Sequence, residues 1–380
     1  MEKQFNGASF RLGILGGGQL GRMFIQEAIN FDVHIHILDN DPAAPCAQIA
    51  HSFTNGSITD FDAVCSFGKD KDLITVEIEN VNIEALEWLE DQGVKVFPQP
   101  RVLRIIKDKG LQKQFYESHH FPTAPFRLVD SKDELVKNFN PCVQKLRTGG
   151  YDGKGVQLLR NVADLDSAFT EPSIVEELIP FKKELSTIVA RNEKGDVKSF
   201  PLVECEFNGS ANLVEFLFSP AEVTEAIEKQ ADDIAIKVIE ALDMVGLLAV
   251  EFFLTENDEL LINEIAPRPH NSGHHTIECN VTSQFEQHLR SILNLPLGST
   301  KAIQAGAMVN LLGESGYEGP AYYQGLNRFL SLPGVHPHLY GKSTTKSYRK
   351  MGHVTIAGPS LAEVKQTAKL ILEELKVISV

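Results

Sequence analysis

The sequence has few cysteines, and their spacing supports neither a disulfide framework nor a structural zinc site. The five cysteines of the 380-residue chain lie far apart, and no two of them form a Cys-x-x-Cys pair. Disulfide-stabilised domains and zinc-binding modules need cysteines in closely spaced sets. We therefore expect buried thiols that behave as small apolar side chains in a reducing compartment.

Long apolar runs and an excess of positive charge are also missing. No stretch approaches about eighteen uncharged apolar residues, and residues 1–10 (MEKQFNGASF) lack the apolar core of a signal peptide. The formal net charge is −15 at pH 7. General binding to nucleic acid or to an anionic membrane needs clustered lysine and arginine, so both are disfavoured. We expect a soluble cytoplasmic protein in which any local basic cluster is informative.

Strands and helices alternate over the first part of the chain. The strands are expected at 11–15, 33–39 and 73–79, with a helix at 18–29. This alternation predicts βαβ units and a parallel sheet. Pro98 and Pro100 mark a boundary, so the first domain is expected over residues 1–100.

From about residue 101 the pattern becomes that of an antiparallel sheet. Strand-like stretches are found at 173–179, 184–192 and 197–207, followed by a long helix at 222–243. We expect a second domain over 101–298, with a smaller lobe at about 122–182, and a C-terminal domain over 299–380.

The first of two glycine-rich segments follows a strand and opens a helix. GILGGGQLG contains G-x-G-x-x-G at Gly16, Gly18 and Gly21, and Asp39 ends the second strand at a distance that suits a ribose. The pattern is typical of a dinucleotide site, but any anion can bind the amides at such a helix start. A turn needed only for tight packing is the third interpretation.

The second glycine-rich segment is KLRTGGYDGKG at 145–155. It is not a P-loop, because only three residues separate Gly149 from Gly153 and a strand-like VQLLR follows instead of a helix. We interpret it as a flap between two strands, and an ordinary hairpin turn is the alternative.

The segment VEFFLTENDELLINE at 250–264 predicts a hairpin centred on Asn257-Asp258. A loop of even length places Glu251 opposite Glu264 on one face, whereas an odd-length loop would undo that pairing. Like charges in this arrangement are destabilising, and the flanking residues are apolar. A magnesium ion held by both carboxylates would convert repulsion into binding, with Asn263 as a further oxygen donor. The alternative is a solvated edge that tolerates both glutamates.

Magnesium, a glycine flap and the strand residue Lys145 together indicate ATP and phosphoryl transfer, since such sites act by positioning and charge stabilisation. A basic segment near the C-terminus, KSTTKSYRKMGH, contains Lys342, Lys346, Arg349 and Lys350 and no acidic residue. In a chain of net charge −15 it is the expected site for a substrate phosphate or bicarbonate, or else a solvated hairpin.

Several segments together resemble the ATP-grasp superfamily: RTGGYDGKG, EELIPFKKELS, VEFF and INEIAPRPHNSGHHT. Within it, the chain is similar to the N5-carboxyaminoimidazole ribonucleotide synthetase family from GGGQLGRM to YRKMGH, over essentially its whole length. The resemblance implies an α/β ATP-grasp fold with an N-terminal parallel α/β (pre-ATP-grasp) domain and a small mixed α/β C-terminal domain.

The activity implied by the resemblance is that of an ATP-dependent carbon–nitrogen ligase of purine biosynthesis. Such an enzyme carboxylates 5-aminoimidazole ribonucleotide with bicarbonate through carboxyphosphate, using Mg²⁺ or Mn²⁺. A homodimer is also implied, as is functional coupling to the mutase that follows in the pathway.

The resemblance assigns roles residue by residue. ATP is expected to contact the cations Arg104 and Lys145, the flap residues Gly150, Tyr151, Asp152, Gly153, Lys154, Gly155 and Val156, the adenine-binding hinge Glu176, Glu177, Leu178 and Ile179, the ribose-binding Glu184, and Asn263 and Glu264. The ribonucleotide and bicarbonate are expected at Gln19, Leu20, Glu77, Arg268, His270, Asn271, Ser272, Gly273, His274, Lys342, Arg349 and Lys350. The catalytic residues would be Tyr151, Asp152, Arg268 and Lys350, and the metal ligands Glu251 and Glu264. One departure is Phe207, which stands where the family often has a histidine near ATP.

Three alternatives stay open at this point. A formate-using ATP-grasp transformylase shares the GGGxLG and APRPH-like elements, but it typically has SGKG and DTGM where this chain has GGYDGKG and NSGH. A nicotinamide-dependent oxidoreductase built on GILGGGQLG would leave Glu251 and Glu264 unexplained. A nucleotide sensor would bind ATP and magnesium without turnover.

Overall fold

The N-terminal part of the chain forms the predicted parallel sheet. Its elements are β1 (Arg11–Leu15), α1 (Gln19–Asn30), β2 (His34–Asp39), β3 (Ser52–Asn55), α2 (Phe61–Gly68), β4 (Leu73–Val76), α3 (Ile83–Asp91) and β5 (Lys95–Val96). The strand order is β3-β2-β1-β4-β5, and all four pairings are parallel. Leu12, Ile14 and Leu15 are buried, which is typical of a strand covered on both faces. The carboxyl ends of β1, β2 and β4 therefore meet at one edge.

The computed structural model describes residues 5–150, 155–208 and 213–380. The predictions made for Tyr151, Asp152, Gly153 and Lys154 lie outside the described residues, and so does the side chain of Phe207.

Two helices connect this sheet to the rest of the molecule: α4 (Pro100–Lys107), which begins on a proline as helices often do, and α5 (Lys109–Ser118). Asp108 caps α5 by accepting hydrogen bonds from the amides of Gly110 and Leu111. The guanidinium of Arg147 binds both oxygens of this carboxylate at 2.9 and 2.6 Å, which ties the helix start to the base of the flap.

A four-stranded sheet of order β6-β9-β7-β8 carries the flap. Its elements are β6 (Phe126–Val129), α6 (Lys132–Lys137), β7 (Cys142–Leu146), β8 (Val156–Leu159) and β9 (Ser173–Glu177). Strands β7 and β8 are antiparallel, with Lys145 opposite Val156. This pairing confirms that the second glycine-rich segment connects two strands.

The largest sheet runs β15-β14-β10-β12-β13-β16-β20-β18, with β11 on the edge of β10. Its first elements are β10 (Phe181–Arg191), β11 (Val197–Ser199), β12 (Val203–Asn208), β13 (Leu213–Ser219), α7 (Glu225–Ala241), β14 (Gly246–Thr255) and β15 (Leu260–Ala266). The apolar face of α7, including Ala231, Ala235 and Val238, packs on Leu248 and Val250 of β14 to form the main core of this part.

The sheet continues across the predicted boundary at residue 298, because β13 pairs with β16. Beyond β15 lie α8 (Thr276–Cys279), α9 (Gln284–Ile292), β16 (Ala305–Leu312), β17 (Gly319–Gln324), α10 (Leu326–Phe329), β18 (Val335–Leu339), β19 (Thr344–Thr345), β20 (Lys350–Gly358), α11 (Leu361–Glu374) and β21 (Lys376–Ser379). Continuity of the sheet gives the C-terminal residues a fixed position relative to β10 and β14. Among the described residues, no helix is long and apolar enough to cross a membrane.

Strands β14 and β15 place Glu251 opposite Glu264, as predicted from the sequence, although the loop that connects the strands is not of even length. Near the turn, Leu254 pairs with Leu260, so the connecting loop 255–259 has an odd number of residues. Asp258 takes a left-handed conformation (φ 64°) in this loop. A bulge at Asn263 adds one residue to β15 and restores the glutamate pairing, since Phe252 pairs with Ile262 whereas Glu251 pairs with Glu264.

Two glycines with positive φ offer a test of how tightly the C-terminal strands pack. Gly334 (φ +72°) has no room for a side chain, because an added Cβ would lie 2.0 Å from the backbone oxygen of Ala357. At Gly316 (φ +84°) an added Cβ would meet nothing within 4 Å. We expect Gly316→Ala to cost roughly 1–2 kcal/mol for the left-handed backbone alone. Gly334→Ala should lower the melting temperature clearly further, since β20 must also move. Equal melting temperatures in a thermal-unfolding comparison would contradict this packing.

Candidate active site

The paired glutamates lie at the centre of a cluster of charged side chains. Burial and the facing Glu264 carboxylate raise the pKa of Glu251. The ammonium group of Lys109, which bonds to Glu264, lowers the pKa of that carboxyl. Burial also raises the pKa of Glu184, on the adjacent strand β10, to about 7. This part of the cluster is therefore rich in carboxylates that are costly to ionise unless a cation is present.

Lysines from two different elements approach this cluster. The ammonium group of Lys145 on β7 lies 2.7 Å from Glu176 Oε2 and donates to Asn263 Oδ1 at 2.9 Å. Lys113 lies four residues after Lys109, on the same face of α5, and its Nζ is 2.5 Å from Glu176 Oε1. The bulge makes the Asn263 contact possible, because it displaces that residue from the strand ladder.

Lys109 and Lys113 were missed in the sequence analysis. In the segment KDKGLQKQ these two lysines are spaced i, i+4, which places them on one face of a helix. The position of this face beside Glu264 and Glu176 depends on how α5 packs against parts of the chain that are distant in sequence. No local sequence pattern could predict it.

The structure places Arg104 outside this cluster, and its proposed contact with ATP stays a prediction. Its guanidinium lies 2.9 Å from Glu87 and 3.4 Å from Glu84, both on α3, at a side-chain exposure of 45%. Arg104 belongs to α4, which ends before Asp108, so it lies on a different helix from the lysine that contacts Glu264. Within the described residues, Lys109 is the cation of this region that contacts Glu264.

The hinge prediction placed Glu176, Glu177, Leu178 and Ile179 beside the nucleotide. Glu176 and Glu177 end β9, and Leu178 and Ile179 follow it before β10 begins. The Glu176 side chain is 3% exposed and is directed at the two lysines, so its carboxylate serves as their counter-ion. Gly155 (φ +78°) and Val156 lie where the flap joins β8, and Gly150 follows β7.

Carboxylate side chains of the protein accept hydrogen bonds from the backbone amides of the first glycine-rich segment. Glu77, just after β4, accepts hydrogen bonds from the amides of Gly18 (2.5 Å) and Leu20 (2.9 Å). Asp39 accepts a bond from the amide of Gly17 at 2.6 Å. Burial raises the pKa of Glu77, and the amide donors oppose that effect. A dinucleotide pyrophosphate would need these same amides, so the oxidoreductase interpretation loses its main support.

The loop after β15 holds the predicted substrate residues Arg268, His270, Asn271, Ser272, Gly273 and His274 together. Arg268 Nε lies 2.9 Å from Glu79 Oε1, and His270 Nε2 is 3.5 Å from Glu251 Oε1. Gln284 of α9 binds both the amide and the carbonyl of His270. An added Cβ at Gly273 would lie 2.3 Å from Ile188, so only glycine fits there.

One of the basic C-terminal residues, Lys342, contacts the N-terminal glycine-rich loop. Lys342 Nζ donates to Gln19 Oε1 at 3.1 Å and to the carbonyl of Lys350 at 2.7 Å. Arg349 donates to both Thr344 O and Oγ1. Gln19, Leu20, Glu77, Lys342 and Lys350 are therefore linked by contacts along the junction between the parallel sheet and the C-terminal strands.

Over the described ranges, no group of three or more His, Cys, Asp or Glu side chains is arranged to hold a metal ion. The donor set at Glu251, Glu264 and Asn263 nevertheless fits Mg²⁺, which typically takes one or two protein carboxylates and completes its shell with substrate phosphates and water. Two opposed carboxylates among apolar neighbours, one with a raised pKa, have the chemistry that a divalent cation would stabilise.

Three family models match consecutive parts of the chain. They are the ribonucleotide synthetase preATP-grasp domain (residues 10–107), the ATP-grasp domain (114–285) and the phosphoribosylaminoimidazole carboxylase C-terminal domain (306–367). These matches confirm the predicted ATP-grasp fold with its two flanking domains.

Curated relatives match over nearly the whole chain. The N5-carboxyaminoimidazole ribonucleotide synthase of Bacillus subtilis (strain 168) is 37% identical, covering 93% of this chain and 93% of that protein. The bifunctional purine synthesis protein purC/E of Dictyostelium discoideum is 39% identical over 90% of this chain, which spans only 36% of that protein's length.

Solved structures are similar in fold as well as in sequence. N5-carboxyaminoimidazole ribonucleotide synthetase from Thermotoga maritima has a TM-score of 0.91 and 40% identity, covering 98% of this chain and 100% of that one. N5-carboxyaminoimidazole synthase from Aspergillus clavatus, in complex with ADP and 5-aminoimidazole ribonucleotide, has a TM-score of 0.87 and 33% identity, covering 96% and 99%.

Replacing Arg104 and Lys109 separately tests which of the two cations contributes to nucleotide binding. We expect Lys109→Met to weaken Mg-ATP binding by roughly tenfold or more, because a charge beside Glu264 is lost. Arg104→Met should leave the dissociation constant within about twofold, since an exposed ion pair contributes little. Equilibrium titration of both variants with Mg-ATP measures this. The reverse ranking would restore Arg104 to the site.

Proposed function

The chain belongs to the N5-carboxyaminoimidazole ribonucleotide synthetase family of ATP-grasp ligases, and we propose how its residues divide the carboxylation of 5-aminoimidazole ribonucleotide in purine biosynthesis. The observation that carries this proposal is the opposition of Glu251 and Glu264 beside Lys109 and Lys145. This arrangement of charges suits the binding of ATP whose triphosphate is coordinated to Mg²⁺.

In the nucleotide site, Lys109 and Lys145 bind the ATP phosphates, and the backbone of Glu176–Ile179 binds the adenine edge. Glu184 accepts hydrogen bonds from the ribose hydroxyls. Glu251, Glu264 and Asn263 would hold Mg²⁺, which when bound neutralises and orients the phosphates. The segment from Gly150 to Val156, of which residues 151–154 lie outside the described residues, is assigned as the flap, and its closure over the phosphates would exclude water.

The reaction transfers the terminal phosphoryl group of ATP to a bicarbonate oxygen, so the bond from that phosphorus to the ADP oxygen breaks and carboxyphosphate forms. Carboxyphosphate then loses phosphate by cleavage of its carbon–oxygen bond. The carbon dioxide released is attacked by the substrate amine, which gives up a proton as the nitrogen–carbon bond forms. Carboxyphosphate hydrolyses readily, so exclusion of water is essential.

Bicarbonate and the ribonucleotide are assigned to the junction between the two sheets. Arg268 and His270 orient the bicarbonate beside Glu251, and Asn271–His274 shape the pocket. Gln19, Leu20, Glu77, Lys342, Arg349 and Lys350 bind the ribonucleotide. Arg268 and Lys350 stabilise negative charge that develops in the carboxyl donor. Tyr151 and Asp152, which would guide the amine and its proton, lie outside the described residues.

Two further parts of the proposal concern assembly. A homodimer and coupling to the following mutase are proposed by family resemblance. A relative named as a bifunctional purine synthesis protein, which is much longer than this chain, supports the idea that the product passes to a neighbouring activity.

Substrate-dependent ADP release tests the proposal. With Mg-ATP and 5-aminoimidazole ribonucleotide, we expect turnover that bicarbonate stimulates, and none with formate plus glycinamide ribonucleotide. Glu264→Gln should lower turnover by about a hundredfold or more, because it removes a charge on which phosphoryl transfer depends.

Glu256→Gln, in the exposed turn of the same hairpin, is the matched control and should retain activity. Turnover with formate alone would move the assignment to the transformylases. NADH binding without ADP release would favour an oxidoreductase instead.

A further inference from the structure

A buried lysine beside the nucleotide site has no role in the reaction described above. Lys113 is 2% exposed, and its Nζ lies 2.5 Å from both Glu176 Oε1 and Thr123 Oγ1. Removing an ammonium group from water is costly unless it is paired. Burial lowers the pKa of Lys113, whereas the Glu176 carboxylate opposes that effect. An apolar side chain would fill the same space without that cost, so the retained charge requires an explanation.

The partner of Lys113 is shared with Lys145. Glu176 presents Oε1 to Lys113 and Oε2 to Lys145, the second at 2.7 Å. Two cations and one anion leave this trio with a net charge of +1. If Lys113 were absent, Lys145 and Glu176 would form a closed, neutral pair.

Among the described residues of the cluster, no other lysine replaces that charge. Lys109 is engaged with Glu264, and the nearby Glu184 and Glu251 add only negative charge. The Lys145 ammonium group donates to Asn263, which is next to the proposed metal ligand Glu264, so it lies on the side of the trio where the ATP phosphates are proposed to bind.

We propose that Lys113 is a positioning residue for the nucleotide site: it occupies one oxygen of Glu176, so that Lys145 keeps a net positive charge for the ATP phosphates. The inference rests on the proposed contact between Lys145 and those phosphates. It is independent of the second substrate, since it concerns nucleotide binding alone.

Equilibrium binding of Mg-ATP to the full chain tests this. Lys113→Met should weaken binding by roughly tenfold or more, because the remaining Lys145–Glu176 pair is neutral. The double variant Lys113→Met/Glu176→Gln leaves Lys145 as a lone cation, restores the net charge of +1, and should bind within about threefold of the unmodified protein. Lys237→Met, at an exposed position of α7, controls for the general loss of one charge.

A merely structural role would give a different result. Loss of packing or stability lowers the fraction of active protein and the melting temperature, but it leaves the dissociation constant of the folded fraction unchanged. An unchanged constant in Lys113→Met, or a double variant that binds as weakly as the single one, would overturn the proposal. If Lys113→Met does not fold, the double variant alone decides, and binding more than about tenfold weaker than that of the unmodified protein would refute it.

The variant Lys145→Met distinguishes a failure of the Lys113 proposal from a failure of the assigned nucleotide site. Unchanged ATP binding in that variant would show that Lys145 does not contact the phosphates, so the failure would lie in the assigned site. The unmodified protein could bind Mg-ATP but release no ADP with bicarbonate and 5-aminoimidazole ribonucleotide. That result would refute the proposed reaction, and the role of Lys113 would still be decided by the binding data.

Discussion

The opposition of two carboxylates on an apolar strand pair is the constraint on which the site depends. Glu251 and Glu264 face each other across β14 and β15, where their repulsion must be offset by cations. The fold supplies these from two elements: Lys109 from α5 and Lys145 from β7. The Arg147–Asp108 ion pair links the two elements, since it joins the start of α5 to the residue just after β7. A bound Mg²⁺ ion would offset the remaining repulsion between the two carboxylates.

The site proposed for the second substrate lies at the junction of the two main sheets, where carboxylates have a different role. Glu77 and Asp39 satisfy the amides of the GGGQLG turn from within the protein. The turn therefore has the residue pattern of a dinucleotide site but presents the Gln19 side chain to Lys342 from the C-terminal region. Because the nine-stranded sheet continues from β13 into β16, the strand that begins at Lys350 is held rigidly relative to the glutamate pair. The two sites thus keep a fixed spacing, which a reaction with an unstable intermediate requires.

Much of this arrangement follows from sequence patterns that have a local physical cause. Alternating strands and helices predicted the parallel sheet, and the glycine-rich segment without a following helix predicted a strand–flap–strand unit. The glutamate pairing was predicted correctly although the loop length was not, because the bulge at Asn263 compensates for the odd loop. Long-range packing had no such signal. Arg104 and Lys109 lie five positions apart, but only the packing of α4 and α5 directs one to α3 and the other to Glu264. Similarly, the two-sided pairing of Glu176 depends on α5 lying against β9.

The most direct test of this account is to locate a metal ion by anomalous scattering in crystals grown with Mn²⁺ and a non-hydrolysable ATP analogue. We expect a peak within coordination distance of oxygens from both Glu251 and Glu264, with the nucleotide phosphates on its other side. A metal held by phosphates alone, with Glu251 directed elsewhere, would contradict the claim that the opposed carboxylates exist to bind the cation.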